Sequence, residues 1–141
     1  MSLIYLDTSV LAKRYLRSDE SDALDALLED VEHRFLVSDL CVVELESAVA
    51  RRARETPGID RAATRLRIDD DMRSGFFAVR PLDTSILIAA RRWIAEGEPL
   101  ATLDALHLAS ALDAEADVLA TDDKQLARAA RAAGLQVTSL L

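Results

Sequence analysis

Cysteine is nearly absent from this chain. Cys41 is the only one in 141 residues, so no internal disulfide can form and an apolar core must hold the fold. Because it follows a predicted strand, Cys41 reads as a buried, reduced thiol of a cytoplasmic protein. Proline and glycine are almost as scarce, at three and four residues, which leaves little room for long irregular stretches. Gly58, Gly75, Gly97 and Gly134 stand too far apart to build a phosphate loop or a dinucleotide-binding fingerprint. No run reaches the roughly 20 apolar residues that span a bilayer. The opening Met1-Ser2-Leu3-Ile4-Tyr5-Leu6-Asp7 has no basic region and meets an acid too early for a signal peptide. The expectation is a cytoplasmic protein with no membrane partner.

Positive charge is also in deficit: 17 Lys and Arg face 25 Asp and Glu, for a formal charge of −8. That balance argues against holding nucleic acid by broad phosphate attraction. It does not exclude a nuclease, since acids gathered around a metal add negative charge that the bound cation reverses towards substrate.

What the chain does have is half apolar and 30% charged residues, the balance of one soluble domain spanning 1–141. Short apolar runs alternate with helical patterns. Strands are predicted at Leu3–Leu6, Phe35–Val37, Phe77–Val79, Val118–Ala120 and Val137–Leu140. Helices are predicted at Thr8–Leu16, Ser21–Val31, from Ser38 or Asp39 to about Arg54, Ile59–Met72, Thr84–Ala95, Thr102–Ala114 and Lys124–Ala133. Continuous apolar strands separated by helices predict an α/β fold with a mostly parallel sheet covered on both faces.

In such sheets, sites form beyond the carboxyl ends of the strands. Asp7 directly follows the first strand, and Thr121, Asp122 and Asp123 take the same place after the fourth. Each of these acids also suits a helix N-cap, and capping is compatible with metal binding. Glu44 lies within the long helix after the second strand. Its neighbours at helical spacing, Leu40, Ser47, Ala48 and Arg51, are mixed, so periodicity does not separate it from Glu46. Asp104 sits in the first turn of an otherwise apolar helix, where Thr102 suits the cap and the helix dipole favours a carboxylate. Asp104, His107, Leu108 and Ala111 form one stripe, and an acid there needs a partner. A hydrogen-bonded, half-buried side chain is the ordinary role for His107.

Separated carboxylates brought together repel one another unless a cation neutralises them. Oxygen ligands favour Mg²⁺ or Mn²⁺, whereas His33 and His107 lack the spacing of a zinc site. A divalent cation can lower the pKa of a bound water and steady a phosphodiester's developing charge, so phosphoryl chemistry fits. A haloacid-dehalogenase-type phosphatase needs a second Asp where Ser9 stands, and neither Ser9 nor Ser38 has the surroundings of a nucleophile elbow. Asp69-Asp70-Asp71 reads as a solvated acidic turn.

Four motifs, in order, carry a resemblance to the PIN-domain family, and within it to the VapC toxin branch of type II toxin–antitoxin systems. Leu6-Asp7-Thr8-Ser9 resembles its opening signature, and Ser38-Asp39-Leu40-Cys41-Val42-Val43-Glu44-Leu45 the S-x-L-x-x-x-E-L helix start. Leu103-Asp104-Ala105-Leu106-His107-Leu108-Ala109 resembles the D-A-L-H-L-A segment, and Leu119-Ala120-Thr121-Asp122-Asp123 the strand ending in T-x-D. The resemblance implies a three-layer α/β/α fold of four or five strands and a metal-dependent endoribonuclease using Mg²⁺ or Mn²⁺ and water. It implies Asp7, Glu44, Asp104 and Asp123 as metal-site and catalytic acids, with Ser9 and Thr121 as supports. Asp122 remains an alternative or auxiliary to Asp123. The implied partners are RNA, a cognate VapB-like antitoxin and a second copy of the chain. Val42–Glu55 and Ile59–Met72 are the helices considered for the antitoxin. Lys13, Arg14, Arg51, Arg52 and Arg54 are the cations considered for RNA phosphates, although a solvated or salt-bridged role is commoner. A housekeeping PIN nuclease and a catalytically silent metal- or protein-binding PIN domain are the competing readings.

Overall fold

Alternate residues of the strands face opposite ways, and this period of two divides the protein into two apolar layers. A computed structural model describes residues 1–141. Its five strands are β1 (Ser2–Leu6), β2 (His33–Ser38), β3 (Phe77–Arg80), β4 (Val118–Ala120) and β5 (Gln136–Thr138). They form one sheet in the order β3-β2-β1-β4-β5, with every pairing parallel. Ile4 lies opposite Phe35, and Phe35 opposite Phe77. All three enter one core cluster with Leu11, Leu24, Leu45 and Ile68. Tyr5, aligned with Leu36 and Leu119, points into the other layer, with Leu108, Leu126 and Ala130. Each fully buried Leu in these layers contributes roughly 1.5–3 kcal/mol.

The helices are α1 (Thr8–Leu11), α2 (Ser21–Glu29), α3 (Asp39–Glu55), α4 (Arg61–Arg73), α5 (Thr84–Ala95), α6 (Thr102–Asp113) and α7 (Lys124–Ala132). α1–α4 supply the first layer, and α5–α7 most of the second. The architecture is therefore the three-layer α/β/α arrangement, with a sheet that is parallel throughout. No helix is long and apolar enough to cross a membrane.

Several boundaries differ from expectation because side chains take over backbone partners. The helix expected over Thr8–Leu16 is α-helical only to Leu11 and continues as a 3₁₀ turn over Ala12–Arg14. There the Lys13 carbonyl accepts from Ser21 Oγ and the Arg14 carbonyl from Arg67, so no further helical turn is needed to satisfy them. α4 starts at Arg61 rather than Ile59, because Asp60 caps it by accepting from Ala63 N. Ser38, of the two residues considered, caps α3. Thr102 does not cap α6: Ala101 occupies that position without a side-chain bond. β5 ends at Thr138, where Asp122 captures the Leu140 amide and draws the chain off the ladder.

The order of the strands fixes where a crevice can open. From β1 the chain moves outward through β2 to β3, then crosses to the other side of β1 for β4. Neighbouring connections therefore diverge between β1 and β4, whose carboxyl ends border the switch point where open α/β sheets place ligands.

Candidate active site

Asp7 leaves β1 at that switch point. It is buried, at 3% exposure. Its Oδ1 accepts from the Val10 amide at 3.0 Å, capping α1, and from Ser9 Oγ at 2.7 Å. Oδ2 accepts from Thr121 Oγ1 at 2.5 Å, reaching across from the end of β4. Burial pushes the carboxyl above its ordinary value, and these three hydrogen bonds offset only part of the rise. Asp7 thus caps a helix and also presents a desolvated carboxylate at the strand end.

Asp123 follows β4 and caps α7, its Oδ1 accepting from Leu126 N at 2.8 Å. Its own amide donates to Thr121 Oγ1 at 3.0 Å. Thr121 thereby ties the two strand ends together. Asp122 lies elsewhere: it pairs with Lys13 and accepts from Ser139 Oγ at 2.7 Å and Leu140 N at 2.9 Å. Burial alone would raise its carboxyl, but these partners hold it below the usual range. Asp122 anchors the segment after β5, and Asp123 is the acid of this pair that bears on Asp104.

Asp104, in the first turn of α6, shows the convergence most clearly. Burial raises its carboxyl first, followed by the negative charge of Asp123 and then of Asp7 and Glu44, with His107 opposing. No hydrogen bond contributes, and His107 is the one basic group that opposes the rise. Glu44 approaches from α3, its Oε1 accepting from Thr8 Oγ1 and lying against His107 Nε2, both at 2.7 Å. Burial raises the Glu44 carboxyl, but the His107 and Thr8 bonds outweigh it and leave it lowered. Glu46, which spacing did not separate from Glu44, turns outward to pair with Arg65 of α4.

The acids are not drawn into a finished cage: no three His, Cys, Asp or Glu side chains are grouped closely enough to hold a metal as they stand. Asp7 and Glu44 instead spend oxygens on hydroxyl, imidazole and amide donors. The donor set still suits a hard cation. It is all oxygen and strongly negative, and its members raise Asp104 rather than pairing it, which is the repulsion a divalent ion relieves.

Two participants were not nominated from sequence. Thr8 lies in the first motif but bonds Glu44 rather than Asp7. Tyr5 is wholly buried and meets His107 Nδ1 at 2.6 Å. Period two placed Tyr5 on the α6 side of the sheet, but only the packing of α6 reveals the contact. Cys41 is buried on α3, and burial raises its thiol to about 12, so it stays protonated and takes no part.

The cations sort into two sets. Lys13 is paired with Asp122, and Arg14 with Asp71 at 2.8 Å. The Asp69-Asp70-Asp71 run therefore lies within α4, and Asp71 is an anchor for Arg14 and Tyr15 rather than a solvated turn. Arg51 and Arg52 line a cavity of about 290 Å³ with Ser9 and Ala12. Lys124, Arg128 and Arg131 form an exposed stripe on α7 and line a cavity of about 410 Å³ with Thr121 and Asp123.

A family model for the PIN domain matches residues 4–132. Ribonuclease VapC35 of Mycobacterium tuberculosis is 33% identical over 146 residues, covering 97% of this chain and 96% of that protein. Among solved structures, Mycobacterium tuberculosis VapC20, a Sarcin-Ricin loop cleaving toxin, superposes with a TM-score of 0.73 at 16% identity, covering 94% of this chain and 95% of its own. DNA-bound VapBC from Salmonella typhimurium gives 0.65 at 16% identity over the whole of both chains. At these identities the structural likeness speaks for the fold.

Proposed function

Because the chain belongs to the PIN-domain family, we propose that it is a divalent-metal-dependent endoribonuclease, the toxin of a VapBC-type pair. The observation that carries this reading is the convergence on Asp104 of Asp123, Asp7 and Glu44 at one switch point, where no hydrogen bond holds the Asp104 carboxyl. RNA as substrate is carried over from the 33% identical ribonuclease.

Asp7, Glu44 and Asp104 are the residues that would hold Mg²⁺ or Mn²⁺, with Asp123 beside them. When bound, the cation supplies polarisation of a water and of the phosphodiester oxygens. Ser9, Thr121 and the Val10 amide fix the rotamer of Asp7, while Thr8 and His107 fix Glu44. Asp123 is held through Oδ1, leaving Oδ2 to orient the attacking water. Substrate phosphates are met by cations not already paired with acids: the α7 stripe on the Asp123 side, and Arg51 and Arg52 on the Ser9 side.

The proposed protein partners are a VapB-like antitoxin and a second copy of the chain. Val43 of α3 and Leu66 of α4, 69% and 62% exposed, give the antitoxin an apolar surface on the two helices expected to bind it. Incubation of purified protein with cellular RNA, followed by mapping of new ends, tests the proposal. Cleavage that requires Mg²⁺ or Mn²⁺, stops with chelator and disappears in Asp7→Asn supports it. Undiminished cleavage by folded Asp7→Asn contradicts it.

A further inference from the structure

His107 is a costly residue for its position. Ala105 through Ala111 of α6 are all buried, and His107 itself is 2% exposed, so an aliphatic side chain would pack there without polar groups to satisfy. Both ring nitrogens are instead satisfied, each by a different element of the fold. Nδ1 meets the Tyr5 hydroxyl of β1 at 2.6 Å, and Nε2 meets Glu44 Oε1 of α3 at 2.7 Å. The Tyr5 and His107 rings also meet edge to face, with centroids 5.8 Å apart.

The donor and acceptor roles follow from the partners. A carboxylate oxygen can only accept, so Nε2 carries the proton towards Glu44. In the neutral ring Nδ1 is then an acceptor, and a phenol, with an ordinary pKa near 10, donates to it at neutral pH. With the ring neutral, the bonds run in one direction, from Tyr5 O–H to His107 Nδ1 and from His107 Nε2–H to Glu44 Oε1. Thr8 donates to the same Glu44 oxygen. Two donors on Oε1 fix the carboxylate and leave Oε2 without a partner in the chain.

We propose that His107 is a positioning residue for Glu44: its Nε2–H aims Oε2 at the cation, and Tyr5 sets the tautomer and ring orientation that make this possible. The inference rests on the metal-dependent reading of the site. Carboxylates that bind metals are commonly held by hydrogen bonds of this kind, and their removal typically lowers affinity about 10–100-fold. A role confined to packing would instead be filled by any side chain of similar volume.

Calorimetric titration of Mn²⁺ into the full chain separates the two roles, with circular dichroism and thermal melting to establish folding. His107→Leu keeps the volume and removes both polar contacts; it is expected to bind Mn²⁺ about 10–100-fold more weakly. His107→Gln retains an amide donor near Nε2, and its affinity should return to within a few fold of wild type. Tyr5→Phe, which frees the tautomer alone, should fall between them. In ¹⁵N-histidine NMR spectra the wild-type ring should show the Nε2–H tautomer, and Tyr5→Phe should mix the two forms. Wild-type affinity in folded His107→Leu, or a Gln variant no better than Leu, overturns the positioning role while leaving the metal site standing. If the wild-type protein itself binds no Mn²⁺, the metal reading fails and takes this inference with it. If His107→Leu does not fold, the Gln and Phe variants decide: wild-type affinity in Tyr5→Phe together with an unchanged tautomer overturns the role of Tyr5, and weak binding by folded His107→Gln overturns that of His107.

Discussion

Asp122 and Asp123 are consecutive in the chain and belong to two different regions of the molecule. Around Asp122 the acids and bases are matched: Lys13, Ser139 and the Leu140 amide surround one carboxylate and hold it below its ordinary value. Around Asp123 the acids face one another. Asp104 is raised by burial and by the charges of Asp123, Asp7 and Glu44, and burial raises Asp7 despite its three hydrogen bonds. The first region lowers the free energy of the fold by holding its charge. The second holds charge at a cost, and such a cost is expected where a ligand offsets it. The two backbone directions that separate these neighbours arise at the helix cap, where Asp123 turns to Leu126 N and begins α7.

The most severe test of the contrast is neutralising an acid in the crevice. Asp7→Asn keeps the size of the side chain, so the fold should persist while RNA cleavage falls about a thousandfold or more in a kinetic assay. Asp104→Asn should likewise abolish cleavage, yet raise the melting temperature in the presence of chelator, because it removes a repelled charge. The pH dependence has a definite sign. A carboxyl raised in the folded state makes the fold bind more protons than the unfolded chain, so stability falls as pH rises above the unperturbed value of 3.8. Saturating Mn²⁺ should flatten that decline, as read by melting curves across pH.

A smaller effect is expected at the α7 stripe. Replacing Lys124, Arg128 and Arg131 by Gln should raise KM for RNA and leave kcat at saturation intact. If each contacts one phosphate, the salt slope of binding falls by about 0.7 per contact, or about 2 in all. An unchanged slope assigns the stripe to solvent.

The smallest effect on chemistry is expected on the matched side. Asp122→Ala should cost about 1–2 kcal/mol in denaturant unfolding while cleavage continues. Because this carboxyl is lowered in the fold, its stabilisation is present above 3.8 and lost as pH falls below it. Loss of cleavage in folded Asp122→Ala would place Asp122 in the crevice with Asp123 instead.

Much of this arrangement was legible from residue pattern. Apolar runs alternating with helical periods gave the parallel sheet, and an acid directly after a strand gave Asp7 and the Asp122–Asp123 pair. Glu44 was not legible from spacing, because α3 packs apolar residues against the sheet while Val43 on the same helix remains exposed. Only Thr8 of α1 and His107 of α6 decide that Glu44 turns inward, and only Arg65 of α4 that Glu46 turns out. The Tyr5–His107 bond joins residues 102 positions apart, and no local periodicity reports a contact of that range. The fate of Lys13 and Arg14 was hidden for the same reason: their acidic partners lie on β4's following turn and on α4.

A Mn²⁺ titration of the wild-type chain beside Asp104→Asn decides whether the facing acids of the crevice bind a divalent cation. Saturable binding and a rise in melting temperature are expected for wild type, with both lost in folded Asp104→Asn. Equal Mn²⁺ binding by the two proteins, or none by wild type alongside RNA cleavage that persists in chelator, would contradict it.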